Sequence, residues 1–187
     1  MSQKTKTLIS VFVTVIVIGL AYAYRVGVTK ERATLEAEVP AVLGELKQPP
    51  VLGEEGSTHM HAPFAMFVNG ELYNFTRPKY MLRDKKAHFE DNDGTVIHKH
   101  ATGVTLPYFL GTLGIDLTDT CFYLDQTTKY CNDGNKKVTL LVNGKRITHV
   151  NNYEIQQNDK ILLNYGDEDD TLLKLRSNNI PDLPTNL

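Results

Sequence analysis

Five of the six histidines fall between residues 59 and 100, at spacings that would place their imidazole rings side by side. His98 and His100 lie two positions apart in an alternating segment, and alternate side chains of a β-strand point to the same face. The Asp93-Gly94 step in the acidic turn 91–94 should reverse the chain and bring the preceding strand beside this pair. The candidate ligands are His59, His61, His88, His98, His100 and Glu90.

These side chains predict a metal site. Neutral imidazoles, supplemented by carboxylates, are the ligands that first-row transition metals take at neutral pH. Four of them would complete the tetrahedral shell of zinc, and copper(II) binds the same kind of site more tightly. The sequence therefore predicts a copper or zinc ion, with copper favoured. His149 stands alone beside Asn151 and Asn152 and is interpreted as a surface or packing residue.

Composition and motifs argue against several other functions. The net charge is −2 at pH 7, and no basic patch or zinc-finger spacing occurs, so nucleic acid is not expected as a partner. The chain has no His-Glu-x-x-His, Gly-x-Ser-x-Gly or Gly-rich phosphate-binding motif, so we expect no enzyme. The alternative is a metal-dependent hydrolase or oxidase, in which a metal with an open position activates water and Glu90 or Asp91 is the base.

The body that positions these residues is predicted to be an α+β domain over residues 57–177. Short strands separated by Asn-Gly and Asp-Gly turns indicate a mainly antiparallel sheet, with a β-grasp-like second half around Asn143-Gly144. One short helix is predicted after Gly103, because the apolar residues at 106, 109, 110 and 113 share one helical face and Thr105 can cap it. The acidic run 167–170 is interpreted as the cap of a short helical segment over 172–175. Residues 178–187 are predicted to be a loosely ordered C-terminal tail.

The first 24 residues predict a membrane anchor. Residues 7–24 are mostly apolar and just long enough to span a bilayer as one transmembrane helix. A cleaved signal peptide is the alternative, because Ala21-Tyr22-Ala23 resembles a cleavage site. Residues 25–56, which contain Pro40, Pro49 and Pro50, are interpreted as a stalk or linker. The expected location is the cell membrane, with a single pass and the body on the extracytoplasmic side.

Cys121 and Cys131 are the only cysteines in the chain. An even pair in an exported domain favours a disulfide bond, and two thiolate ligands are the competing interpretation. Asn74 begins the sequon Asn74-Phe75-Thr76, so it is a candidate glycosylation site if the body is exported.

The span from His59 to Gly166 resembles an uncharacterised family of exported or membrane-anchored, histidine-rich microbial proteins. The resemblance is carried by the segments HMHAPFAMFVNGELY, HFEDNDGTVIHKH, VTLPYFLGTLGI, VTLLVNGKRI and KILLNYG. It implies that His59, His61, His88 and His98 are the principal ligands, and that Glu90 stands where relatives have a second hairpin histidine. The anchored form with a cysteine pair is similar to proteins of ammonia-oxidising archaea, whose exported chemistry depends on copper, and this implies copper.

The function expected from these features is that of a membrane-anchored, extracytoplasmic metal-binding protein. It would capture copper or zinc with histidines from the two His-x-His pairs, or deliver the ion to a metal-receiving protein. A structural or accessory subunit of a membrane protein complex is the first alternative, with the histidines at an interface. The metal-dependent hydrolase or oxidase is the second.

Overall fold

A computed structural model describes residues 20–30 and 49–183 of the chain. The chain divides into two compact units, Met1–Lys47 and Gln48–Leu187. The described part of the first unit, residues 20–30, is a helix, α1. No helix within the described residues is long and apolar enough to cross a membrane. Residues 1–19 of the predicted anchor, 31–48 of the predicted stalk and 184–187 of the predicted tail lie outside the described residues.

The second unit is built from short strands and two helices along its described length. The strands are β1 (Met60–Val68), β2 (Glu71–Leu72), β3 (Ala87–Glu90), β4 (Asp93–Lys99), β5 (Asp116–Leu117), β6 (Cys121–Tyr123), β7 (Lys129–Cys131), β8 (Lys137–Val142), β9 (Lys145–Ile147) and β10 (Ile161–Gly166). The helices are α2 (Leu106–Thr112) and α3 (Asp170–Asn178).

The strands form two sheets. The larger has the order β3-β4-β1-β10-β8-β9, with β2 paired to the far end of β1, and the smaller has the order β5-β6-β7. All neighbouring strands are antiparallel except β1 and β10, which run parallel with Phe64 opposite Ile161. The prediction of an α+β body with a mainly antiparallel sheet is therefore confirmed.

The predicted helix after Gly103 is α2, and its cap forms as expected. The Thr105 hydroxyl accepts a hydrogen bond from the backbone N–H of Tyr108 at 3.3 Å, which satisfies one of the donors that a helix N-terminus leaves unpaired. The second helix, α3, is longer than the predicted segment over 172–175. Asp169 caps it by accepting from the N–H of Leu172 at 2.8 Å, and the helix continues to Asn178.

The two faces of the main sheet are covered by different elements. One face packs on α2 and the smaller sheet and forms the main core, whose largest buried residues include Phe64, Met66, Phe89, Phe109 and Phe122. The other face is covered at the β10 and β8 end by α3, through a small apolar cluster of Leu141, Leu162, Leu173 and Ile180. Because side chains alternate along β1, Ala65 and Phe67 belong to this second face, and so does His61.

The predicted disulfide is present. Cys121 and Cys131 are paired opposite each other on β6 and β7 and are bonded to each other, and the described residues contain no free cysteine. The bond joins β6 to β7, an edge strand of the smaller sheet. Both sulfurs are therefore used in a covalent link, and the competing interpretation as two thiolate ligands is wrong.

Candidate metal centre

The pairing of β3, β4 and β1 arranges the histidines in two rows on one face of the sheet. In the first row, His98 of β4 lies between His88 of β3 and His61 of β1, each in direct cross-strand register with it. His59 and His100 lie two residues further along the same alternation and form the second row. The β3–β4 hairpin that creates this register is the predicted one.

The turn of that hairpin differs in detail from the prediction. The left-handed residues are Asp91 and Asn92, with φ of 54° and 57°, whereas Gly94 lies in β4. Asp and Asn tolerate this conformation better than other residues. Gly94 is required for a different reason: a Cβ at this position would lie 2.4 Å from the backbone carbonyl carbon of Phe75, so only glycine lets the two chains approach.

The five imidazoles form a closed ring of contacts, in which each ring touches two others. The centroid distances are 4.8 Å for His59–His61, 4.6 Å for His61–His98, 6.0 Å for His98–His88, 4.9 Å for His88–His100 and 4.7 Å for His100–His59. Glu90 extends the cluster. Its Oε1 is 3.2 Å from His98 Nδ1 and its Oε2 is 3.3 Å from His88 Nε2. The structure thus brings together all six side chains that were predicted as ligands, and we call them the histidine cluster.

Within the described residues, no three His, Cys, Asp or Glu side chains are arranged around one point as a finished metal site. The fit is pairwise. The Nε2 atoms of His59 and His61 are 3.2 Å apart. The two contacts of Glu90 have similar lengths, 3.2 Å to His98 and 3.3 Å to His88. Ligands bonded to one tetrahedral ion at zinc–nitrogen distances are about 3.3 Å apart. The pairs therefore already have the spacing of neighbouring ligands, which is also the spacing of a hydrogen bond.

The hydrogen bonds of His88 give a more direct indication of a cation. Its Nδ1 is 2.7 Å from the backbone carbonyl oxygen of Asp84, and a carbonyl only accepts, so Nδ1 carries the proton. In a neutral ring, Nε2 then presents a lone pair to the Glu90 carboxylate, which also only accepts. Two acceptors facing each other at 3.3 Å require a positive charge between them or on one of them. A metal ion meets that requirement, and so does a proton.

Burial favours the neutral form of the other inward-facing rings. It is the largest cause that lowers the pKa of His61, His98 and His100 below the ordinary 6.5. Neighbouring imidazoles lower these pKa values further, and the Glu90 carboxylate opposes the effect. Metal ions bind the neutral imidazole, so this electrostatic environment suits ligation at neutral pH.

Several residues that hold the cluster in place were not identified from the sequence. The Asp84 carboxylate accepts from the N–H groups of Lys86 and Ala87 at 2.8 and 3.2 Å and from the Tyr108 hydroxyl at 3.1 Å. This turn holds the Asp84 carbonyl in place for His88. The available signal was an Asp three residues before the first residue of the strand, a pattern typical of Asx-turns. Gln157 has no such local signal: its Oε1 accepts from the backbone N–H of His61 at 2.8 Å across the sheet.

A buried ion pair lies behind the cluster. Lys99 sits between His98 and His100 in sequence but points to the opposite face and is completely buried. Its Nζ donates to Glu154 Oε1 and to the Ile155 carbonyl, both at 2.6 Å. The Met60 sulfur is 3.9 Å from the same ammonium, so this thioether is turned away from the imidazoles. The pair ties β4 to the segment that precedes β10.

The remaining candidate residues lie elsewhere. His149 is exposed, and its Nδ1 is 3.4 Å from Asp119 Oδ2, in agreement with the interpretation as a surface residue. Asn74 is exposed, and its Oδ1 accepts from both the N–H and the hydroxyl of Thr76, at 2.8 and 2.7 Å. The sequon is therefore accessible on the surface, and its modification stays a prediction.

Comparison of the chain with models of protein families, with curated proteins and with solved structures finds no match. The resemblance to exported, histidine-rich microbial proteins therefore stays a prediction. The functional argument has to come from the geometry of the histidine cluster.

Proposed function

We propose that the protein binds a transition-metal ion in the histidine cluster, copper in preference to zinc, and that it captures the ion or passes it to a receiving protein. The observation that carries this proposal is the closed ring of five imidazoles. Imidazoles that crowd together in this way repel one another when protonated, so the ring favours neutral imidazoles, the form that binds metal ions. A bound cation would satisfy the lone pairs that the arrangement concentrates.

The donor chemistry supports copper ahead of zinc. The cluster offers imidazole nitrogens and one carboxylate, and both cysteines are occupied by the disulfide. A set of nitrogen and oxygen donors of this kind binds copper(II) more tightly than zinc. Zinc remains the second choice because four imidazoles or three with a carboxylate satisfy its tetrahedral shell.

The exposure of the cluster supports capture or delivery. His59 is exposed and His100 is half-buried, whereas His61 and His88 are each only 9% exposed and His98 is 5% exposed. An ion could therefore meet the outer pair first and then the buried row. The large cavity of about 780 Å³ on the same face is lined by none of these histidines. Nothing in its position favours the alternative of a hydrolase or oxidase.

The location is part of the same proposal. A disulfide persists in oxidising compartments and is rare in the cytosol, so the Cys121–Cys131 bond supports an extracytoplasmic body. The apolar run over residues 7–24 would anchor that body to the membrane by a single helix. A receiving protein would then lie in or beside the same membrane.

The experiment is elemental analysis of the purified full-length chain in mild detergent, stripped of metal, equilibrated with copper(II) or zinc and desalted. We expect the wild type and His149→Ala to retain metal, and the double variant His98→Ala/His100→Ala to lose it. Circular dichroism verifies that the double variant is folded. A wild type without retained metal would overturn the proposal, as would a folded double variant that keeps as much metal as the wild type.

A further inference from the structure

We infer that the histidine cluster holds two metal ions side by side, at an outer and an inner position. This inference rests on the proposed function, since it assumes that the cluster binds metal at all. The outer position is formed by His59 and His61, and the inner position by His88, His98 and Glu90. His100 lies between them.

The first argument is the number of donor atoms. Five imidazoles and both oxygens of one carboxylate face the same space, whereas a tetrahedral ion takes four ligands. A single ion would therefore use only some of these donors and leave the others to hydrogen bonds among themselves or to water. Two ions would use all of them and leave room for water.

The second argument is the way the short contacts divide. The contact between His59 Nε2 and His61 Nε2, at 3.2 Å, shares no residue with the two contacts of Glu90, at 3.2 and 3.3 Å. The short contacts therefore divide into a pair, His59 and His61, and a group of three, His88, His98 and Glu90, each with the spacing of neighbouring ligands. The ring contact between His61 and His98, at 4.6 Å, joins the two groups.

The third argument is the position of His100, which completes either group. Its ring centroid is 4.7 Å from that of His59 and 4.9 Å from that of His88, one member of each group. Glu90 belongs to the inner group alone, because the imidazoles that its two oxygens face, His88 and His98, are both inner ligands. The geometry therefore provides separate ligands for each position and, in His100, one ligand that can serve either, as a two-metal site can use.

The test is a titration of the metal-free, untagged full-length chain with copper(II), followed by elemental analysis and electron paramagnetic resonance. We expect two copper ions per chain. The signal should grow up to the first equivalent, and the second equivalent should broaden or suppress it, because two unpaired electrons this close couple. Zinc should be retained at the same two-to-one ratio.

The matched variants are His59→Ala and His149→Ala, each of which removes an exposed imidazole. His59→Ala should keep one ion with an ordinary, uncoupled signal, and His149→Ala should behave as the wild type. Glu90→Gln should also keep one ion, held at the outer position. Loss of one ion from either variant would show that the two positions can be separated.

The outcomes distinguish this inference from the proposal beneath it. One copper per wild-type chain would overturn the two-metal centre and leave metal binding in the cluster standing. No retained copper would overturn both. Two ions with independent signals would mean that the second ion binds outside the cluster, and two coupled ions in His59→Ala would mean that the outer position is wrongly assigned. Each of these two results would overturn the inference.

Discussion

Replacement of Asp84 by alanine should weaken metal binding although its side chain touches none of the imidazoles. The Asp84 carboxylate accepts three hydrogen bonds, from two backbone N–H groups and from the Tyr108 hydroxyl, and these fix the turn before β3. The carbonyl oxygen of the same residue accepts from His88 Nδ1 at 2.7 Å. Without the carboxylate the turn relaxes, and the ring of His88 loses its orientation.

The size of the effect follows from the contacts. Three hydrogen bonds at about 1 kcal/mol each, reduced because Asp84 is partly exposed, predict a loss of about 2–3 kcal/mol in the free energy of unfolding. Groups that orient a ligating histidine through its second nitrogen typically contribute about 10–100-fold to metal affinity. We therefore expect Asp84→Ala to raise the dissociation constant of copper by about 10–100-fold. Asp84→Asn keeps an acceptor oxygen, so its affinity for copper should be close to that of the wild type.

The chain provides a matched control in Asp133. Its carboxylate accepts from the N–H groups two and three residues later, Asn135 and Lys136, at 2.9 and 2.7 Å, and it lies in the loop between β7 and β8. Asp133→Ala removes the same kind of turn but should leave copper affinity unchanged. The assay is isothermal titration of each variant with copper(II) under a competing chelator. Equal affinities for Asp84→Ala and Asp133→Ala would refute the reasoning that His88 needs this orientation.

Three further predictions concern stability. Lys99→Met removes the buried ammonium that donates to Glu154 and to the Ile155 carbonyl. Because the Glu154 carboxylate is 30% exposed and still accepts from the N–H of Gly103, we expect the free energy of unfolding, measured by urea denaturation, to fall by about 2–4 kcal/mol, with the copper stoichiometry unchanged. Lowering the pH should destabilise the metal-free protein. Burial lowers the pKa of three cluster histidines, so below pH 6.5 the unfolded chain binds more protons than the folded protein. The melting temperature should therefore fall as the pH is lowered through this range. A melting temperature that does not change with pH would contradict this prediction. Reduction of the Cys121–Cys131 bond should lower the free energy of unfolding by about 2–3 kcal/mol, because the unfolded chain regains the entropy of the short loop. It should not release copper, and release of the metal would show that the thiols belong to the site.

The parts of the site that could be predicted from the sequence are those set by local geometry. The two-residue period of a strand places His98 with His100, and a tight turn returns the chain to His88 and Glu90, so the hairpin and its facing side chains followed directly. The position of the turn, by contrast, is not set by local geometry alone. Asp93-Gly94 looked like the turn, but the close passage of Phe75 over Gly94 places the glycine in β4.

The rest depended on contacts between distant segments. The ring closes only because β1 pairs with β4 with His61 opposite His98, and side-chain periodicity does not fix the register between two separate segments. The parallel pairing of β1 with β10 joins residues nearly a hundred positions apart and had no local signal. Lys99 is a similar case, because a lysine in an alternating strand is ordinarily exposed and its partner Glu154 is distant in sequence.

The parallel pairing of β1 and β10 has a consequence for the order of events during synthesis. The strand β1, which carries His61 and begins directly after His59, is the first strand of the body to be synthesised, and its neighbour β10 is the last. The backbone of His61 is held by residues just before β10, through Gln157 Oε1 and the N–H of Asn158 at 2.8 and 2.9 Å. Contacts this distant in sequence form late, because the intervening chain must be ordered first. The metal site that we propose would therefore be completed only after β10 and the segment before it have been synthesised.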